Sequence, residues 1–177
     1  MTVLLAIVLC LAIIIFFLLF LALITKKDYQ IEREIIIDKS TDEVFNYIKL
    51  MKNQEQYSVW VMKDPNVRIE YKGIDGTEGF ISNWEGNKQA GKGEQEIMKI
   101  IDQKSIHIQI RFEKPFKNVG EIYMFTTPIT ATQTNLAYKM EGKNTFPLNL
   151  MNLIIDGLLG KDLYTSLENI KRIVSHK

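Results

Sequence analysis

Two polar residues four positions apart, Asn152 and Asp156, interrupt an otherwise apolar pattern near the C-terminus. On a helix that spacing puts both side chains on one face. An amide and a carboxylate so placed can hydrogen-bond a polar ligand group, or the carboxylate can act as a general base. Burial with no cation beside it would raise the Asp156 pKa, as a base working near neutrality requires. The plainer alternative is that Asp156 bonds a strand side chain or backbone group and fixes the helix. Trp84 and Tyr138 fall on strand alternations that point inwards, and each joins an aromatic body to a polar tip that can orient a ligand. Ser82, Gln95 and Thr126 face in on the same basis, although one register slip turns each outward. Tyr57 and Trp60, just ahead of the breaker Asp64-Pro65-Asn66, form a candidate flap at a cavity mouth, or plain packing. Ile155 and Leu159 complete the candidate ligand-binding set.

Other chemistry finds little support. Cys10 is the one cysteine and lies in an apolar run, while His107 and His176 are far apart, so no metal site is expected. Gly91-Lys92-Gly93 is followed by strands and lacks the phosphate-loop pattern, so no cofactor is expected either. A net charge of +1 gives no electrostatic case for nucleic acid. No residue is assigned a catalytic role.

The elements that must position the candidates follow from periodicity. Pro147 to about Ser175 reads as one long helix, about 43 Å at ~1.5 Å per residue. Leu159, Leu163, Leu167, Ile170 and Val174 share one face with Gly160, and counting back by fours from Gly160 puts Asp156 and Asn152 on it. Met151, Ile154, Ile155 and Leu158 make a second apolar face, suited to packing on the Tyr57–Met62 loop, to a cavity mouth or to a bilayer. Asp28–Ile37 alternates as a strand, with Tyr29, Ile31, Ile35 and Ile37 on one side. Ser40 or Thr41 caps a following helix whose inner stripe is Val44, Ile48 and Met51. Six more strand candidates follow: 67–71, 79–85, 91–101, 105–113, 118–127 (ending at Pro128) and 133–141. Short links imply antiparallel hairpins, and clean alternation implies one dry and one wet face. The fold class is therefore α+β: a curled seven-stranded antiparallel sheet gripping the long C-terminal helix.

Ahead of this domain, residues 2–25 are uncharged and long enough to cross a bilayer, which takes about 20 residues. No basic segment precedes the run and no small-x-small site precedes Lys26, which argues against a cleaved signal. Residues 2–25 are expected to form a transmembrane anchor and residues 26–177 the soluble domain. Lys26 and Lys27 place that domain in the cytoplasm, on a single-pass protein of the cell membrane.

The order of motifs resembles the START-like, helix-grip superfamily, specifically the polyketide cyclase/dehydrase-like SRPBCC proteins. The resemblance covers about residues 28–175. It rests on Glu32-Arg33, Ser40-Thr41-Asp42-Glu43-Val44-Phe45, the Trp60 region before Lys63-Asp64-Pro65, and Trp84-Glu85-Gly86-Asn87 with Gly91-Lys92-Gly93. Asn144-Thr145-Phe146-Pro147, Asp156, Gly160-Lys161-Asp162 and Leu167 extend it through the last helix. It implies a hydrophobic-ligand cavity between sheet and helix, without implying cyclase activity. The expected function is membrane-anchored binding of a lipid or an isoprenoid- or polyketide-like molecule. A small cyclase- or dehydratase-type enzyme using Asp156 with Tyr138 is the alternative, and a protein-interaction module with a protein partner the third.

Overall fold

The computed structural model describes residues 2–176, without the side chain of Thr2. An apolar helix, α1 (Thr2–Ile24), leads directly into β1 (Asp28–Ile37). Its large apolar side chains from Val3 to Phe20 are exposed, so no protein core covers it. Then comes α2 (Thr41–Ile48), where Ser40 accepts from the Glu43 N–H and the Glu43 carboxylate accepts from the Ser40 N–H. This reciprocal box satisfies two of the helix's orphan donors. A 3-10 turn (Met51–Asn53), α3 (Gln54–Tyr57) and α4 (Val59–Met62) precede six consecutive strands: β2 (Arg68–Lys72), β3 (Ile81–Glu85), β4 (Lys92–Ile101), β5 (Ser105–Lys114), β6 (Asn118–Thr130) and β7 (Gln133–Lys143). A 3-10 segment (Leu148–Leu153) leads into α5 (Ile155–Ser175).

The strands form one seven-stranded antiparallel sheet in the order β1-β7-β6-β5-β4-β3-β2. Strands β2 to β7 are a meander, and β1 adds beside β7. The inward alternation of β5 (Ile106, Ile108, Ile110) faces Leu163, Leu167, Ile170 and Val174 of α5, and all seven are buried in one core. Outside, Arg111 pairs with Glu94 and Glu96 at 2.6 Å and His107 with Glu121 at 2.7 Å, the wet face that the alternation requires.

Two elements depart from expectation. Strand β6 runs through Pro128 to Thr130. Thr126 donates its N–H to Lys104 O on the β5 side, so Pro128, two residues on, presents its missing N–H to the same side, beyond the last pair with β5. A proline is tolerated where the ladder has no neighbour. The last helix is not continuous from Pro147. Ile154, at φ −121°, separates the 3-10 segment from α5.

Candidate functional site

Between the sheet and the N-terminal half of α5 lies a cavity of about 560 Å³, within the ~300–1,000 Å³ usual for small-molecule sites. Trp84, Ile110, Phe112, Tyr138 and Met140 line it from the sheet, Trp60 from α4, and Ile155, Leu158 and Leu159 from α5. Each is held by its own element. Trp84 sits opposite Gly93 in the β3–β4 ladder, its indole N–H donates to Ala90 O at 2.9 Å, and Phe112 meets its ring edge-on at 5.7 Å between centroids. Tyr29 lies across Gly142 on β7, where a Cβ would come within 2.7 Å of its hydroxyl oxygen.

The polar wall is an amide pair. Gln54, the first residue of α3, and Gln95 of β4 donate to each other's carbonyl oxygens at 3.0 and 3.1 Å. Elsewhere in the lining, burial pushes the Tyr29 and Tyr138 phenols above their ordinary pKa, so both stay protonated donors at neutral pH. Neither hydroxyl has a protein hydrogen-bond partner among the described residues. Among the described lining residues only Lys117 and Lys143 carry charge; both are exposed, and no Asp, Glu or His is present.

Five of the eight expected ligand-binding residues line this space: Trp84, Tyr138, Trp60, Ile155 and Leu159. Three do not. Tyr57 is core, 1% exposed, with its hydroxyl against Met124 Sδ, so it cannot be a flap. Asn152 belongs to the 3-10 segment, whose three residues per turn void a count by fours. Its side-chain N–H groups donate to the carbonyls of Lys26 and Lys27, and its oxygen accepts from Asn144. Asp156 lies over β1, 68% exposed, with both carboxylate oxygens 2.9 Å from Arg33 Nη2. The Arg33 hydrogen bond holds its pKa below the usual carboxylate range, the reverse of what a base needs. Of the other inward candidates, Gln95 lines the cavity, while Ser82 and Thr126 are buried outside the lining.

Arg33 also explains Gly160. A Cβ there would stand 2.1 Å from Arg33 Nη2, so the glycine clears the path of the guanidinium to Asp156. Gly160→Ala should therefore disturb the ion pair in the native chain, whereas in an Arg33→Ala background it should stabilise by about 1 kcal/mol through helix propensity. A double-mutant cycle in urea reads the coupling. Its Asp156 part should fade as pH falls through the lowered folded pKa, because a depressed carboxyl stabilises only while ionised.

Other held contacts frame the site. Ser166 Oγ accepts from Val59 N at 3.2 Å and Lys63 pairs with Asp162 at 2.6 Å, pinning α4 and Trp60 onto α5. Sequence reasoning missed the Gln54–Gln95 pair and the Tyr29 hydroxyl. The signal for Tyr29 was its place on the inward side of β1, next to two strand glycines at 120 and 142.

A curled antiparallel sheet closed on a C-terminal helix, with an apolar cavity between them, is a helix-grip fold. Solved structures share it. Truncated norcoclaurine synthase from Thalictrum flavum superposes with a TM-score of 0.68 over 85% of this chain and 96% of its own, at 10% identity. The same enzyme in complex with dopamine and hydroxybenzaldehyde gives 0.66 over 87% and 91%, at 13% identity. The Zhui aromatase/cyclase from Streptomyces sp. R1128 gives 0.62 over 84% and 94%, at 9% identity. At these identities the likeness is one of fold. No family model matches the chain, and no curated protein sequence matches it.

Proposed function

We propose that this chain binds a hydrophobic small molecule or lipid in the cavity between sheet and α5, on a domain anchored to a membrane by α1. The observation that carries the reading is the cavity itself, a mostly apolar space of about 560 Å³. Its few polar groups suit a mostly apolar ligand with one neutral hydrogen-bonding function, taken by the Tyr29 and Tyr138 hydroxyls. The described lining holds no carboxylate or imidazole, the commonest acid–base groups, which leaves Tyr29, Tyr138, Lys117 and Lys143 as its proton-carrying side chains. Asp156, the base of the enzymatic alternative, is committed to Arg33.

For the anchor, α1 offers 22 residues, Val3–Ile24, long and apolar enough to cross a membrane. Lys26 and Lys27 follow it, and the positive-inside rule puts the domain on the cytoplasmic side.

Native mass spectrometry of the full chain from host membranes, in detergent, tests binding. An apolar species should co-purify with the wild type and be lost from Leu159→Trp, which fills the cavity from α5. Asp156→Asn should retain it, because that side chain lies outside the lining. A wild-type protein that is empty, or a Leu159→Trp protein that carries the same species, overturns the reading.

A further inference from the structure

The register places several surfaces at one end of the sheet. Asp28 of β1 pairs with Lys143 of β7, Asn118 of β6 with Phe112 of β5, and Lys114 of β5 with Lys92 of β4. The connections 115–117 and 144–154 therefore lie where α1 joins β1. The cavity reaches that end, since Phe116, Lys117, Thr145, Leu148 and Met151 are among its lining.

At this end α1 is docked by side chains. Asn149, fully buried, donates to the carbonyls of Ala22 and Thr25 at 2.7 and 2.8 Å. Asn152 donates to those of Lys26 and Lys27 at 2.9 and 2.8 Å. These carbonyls sit at and just past the helix terminus, where backbone acceptors lack intrahelical partners. Four side-chain bonds thus fix the direction in which α1 leaves the domain. Around its exit stand Phe116, 66% exposed, Leu153 at 59% and Ile154 at 55%, with Leu148 and Met151 beside them. Lys26, Lys27, Lys117 and Lys143 are exposed at the same end.

We infer that this end of the sheet rests in the headgroup layer of a lipid bilayer, with Phe116, Leu153 and Ile154 inserted, so that the cavity opens onto lipid rather than water. The occupant follows from the docking. Once α1 spans a bilayer, the surface around its exit has nowhere else to lie. Apolar side chains mixed with lysines match that environment, the first entering the acyl boundary and the second meeting phosphates. The inference rests on the anchor reading of α1, and it adds the route by which ligand arrives.

Nitroxide accessibility of the full chain in phosphatidylcholine/phosphatidylglycerol vesicles tests it. Labels go on Phe116→Cys and Ile154→Cys, both in a Cys10→Ser background. Ile74→Cys, 75% exposed in the β2–β3 connection at the opposite end, is the aqueous control. Cys10 of the wild type, labelled, reports on α1 itself. Labels at 116 and 154 should show a several-fold higher ratio of oxygen to polar-relaxant accessibility than the label at 74. If they match position 74 while Cys10 reads as hydrocarbon, the inference falls and the anchor stands. If Cys10 also reads as aqueous, both fall. Labels at 116 and 154 that are immobilised and shielded from both relaxants would mean a protein or a second copy covers this end, which also overturns the inference.

Discussion

Leu167→Ala lowers the stability of the domain by about 2–5 kcal/mol, the range for deleting a fully buried leucine side chain. Leu167 has no exposed surface and stands between Leu163 and Ile170 on the face of α5 that the sheet grips. The surrounding β-strands are tied into a ladder and cannot close over the vacated space, so the cavity term adds to the transfer term. Against a typical total of about 5–15 kcal/mol, this one change removes a large part of the folded state's margin. Urea unfolding gives the value. Leu158→Ala, on the same helix but 51% exposed, is the internal control and should cost less than about 0.5 kcal/mol. Equal losses at the two positions would mean that α5 is not gripped along the face described.

Gly93→Ala should destabilise by about 1–3 kcal/mol although it adds a single methyl, because overpacking forces its neighbours aside. Its Cβ would stand 2.4 Å from Arg111 O and 2.5 Å from the Trp84 ring. The carbonyl belongs to β5, so relieving that contact strains the β4–β5 ladder, and the indole must move as well. A displaced Trp84 loses its bond to Ala90 and its edge contact with Phe112. One methyl should thus change both the unfolding midpoint and the near-ultraviolet dichroism of the tryptophans, and it should reduce retention of the cavity's ligand. An unaltered dichroism spectrum would show that Trp84 is not wedged against Gly93.

Much of the architecture could be read directly, because local chemistry and global fold agree there. The Ser40–Glu43 box marks the start of α2, and the isoleucines from 106 to 110 alternate strictly against polar residues, so period and burial coincide. The misreadings have separate causes. Counting back by fours from Gly160 carried Asp156 and Asn152 into the cavity, but the chain before Ile155 is 3-10, and Asp156 itself lies over β1. The contrary signal was present. Arg33 falls on the inward side of β1, between Ile31 and Ile35. A cation there needs a carboxylate from whatever packs across it, and the first turn of α5 supplies one. Tyr57 and Trp60, three residues apart, separated into core and lining because the turn at Ser58 directs α3 and α4 differently, which no periodicity announces.

The pairing of β1 with β7 has a consequence during synthesis. β1 leaves the ribosome soon after α1, yet its ladder partner, Gln133–Lys143, is the last strand to be made. At about 5–20 residues per second, β1 waits on the order of ten seconds with both backbone edges open. It carries the run Ile35-Ile36-Ile37, short, β-branched and uncharged, the kind of segment that recruits neighbouring nascent chains. Glu32-Arg33-Glu34 on one side and Asp38-Lys39 on the other act as gatekeepers through that interval. Arg33 thus serves twice, discouraging intermolecular pairing while the chain is unfinished and then fastening Asp156 once α5 arrives.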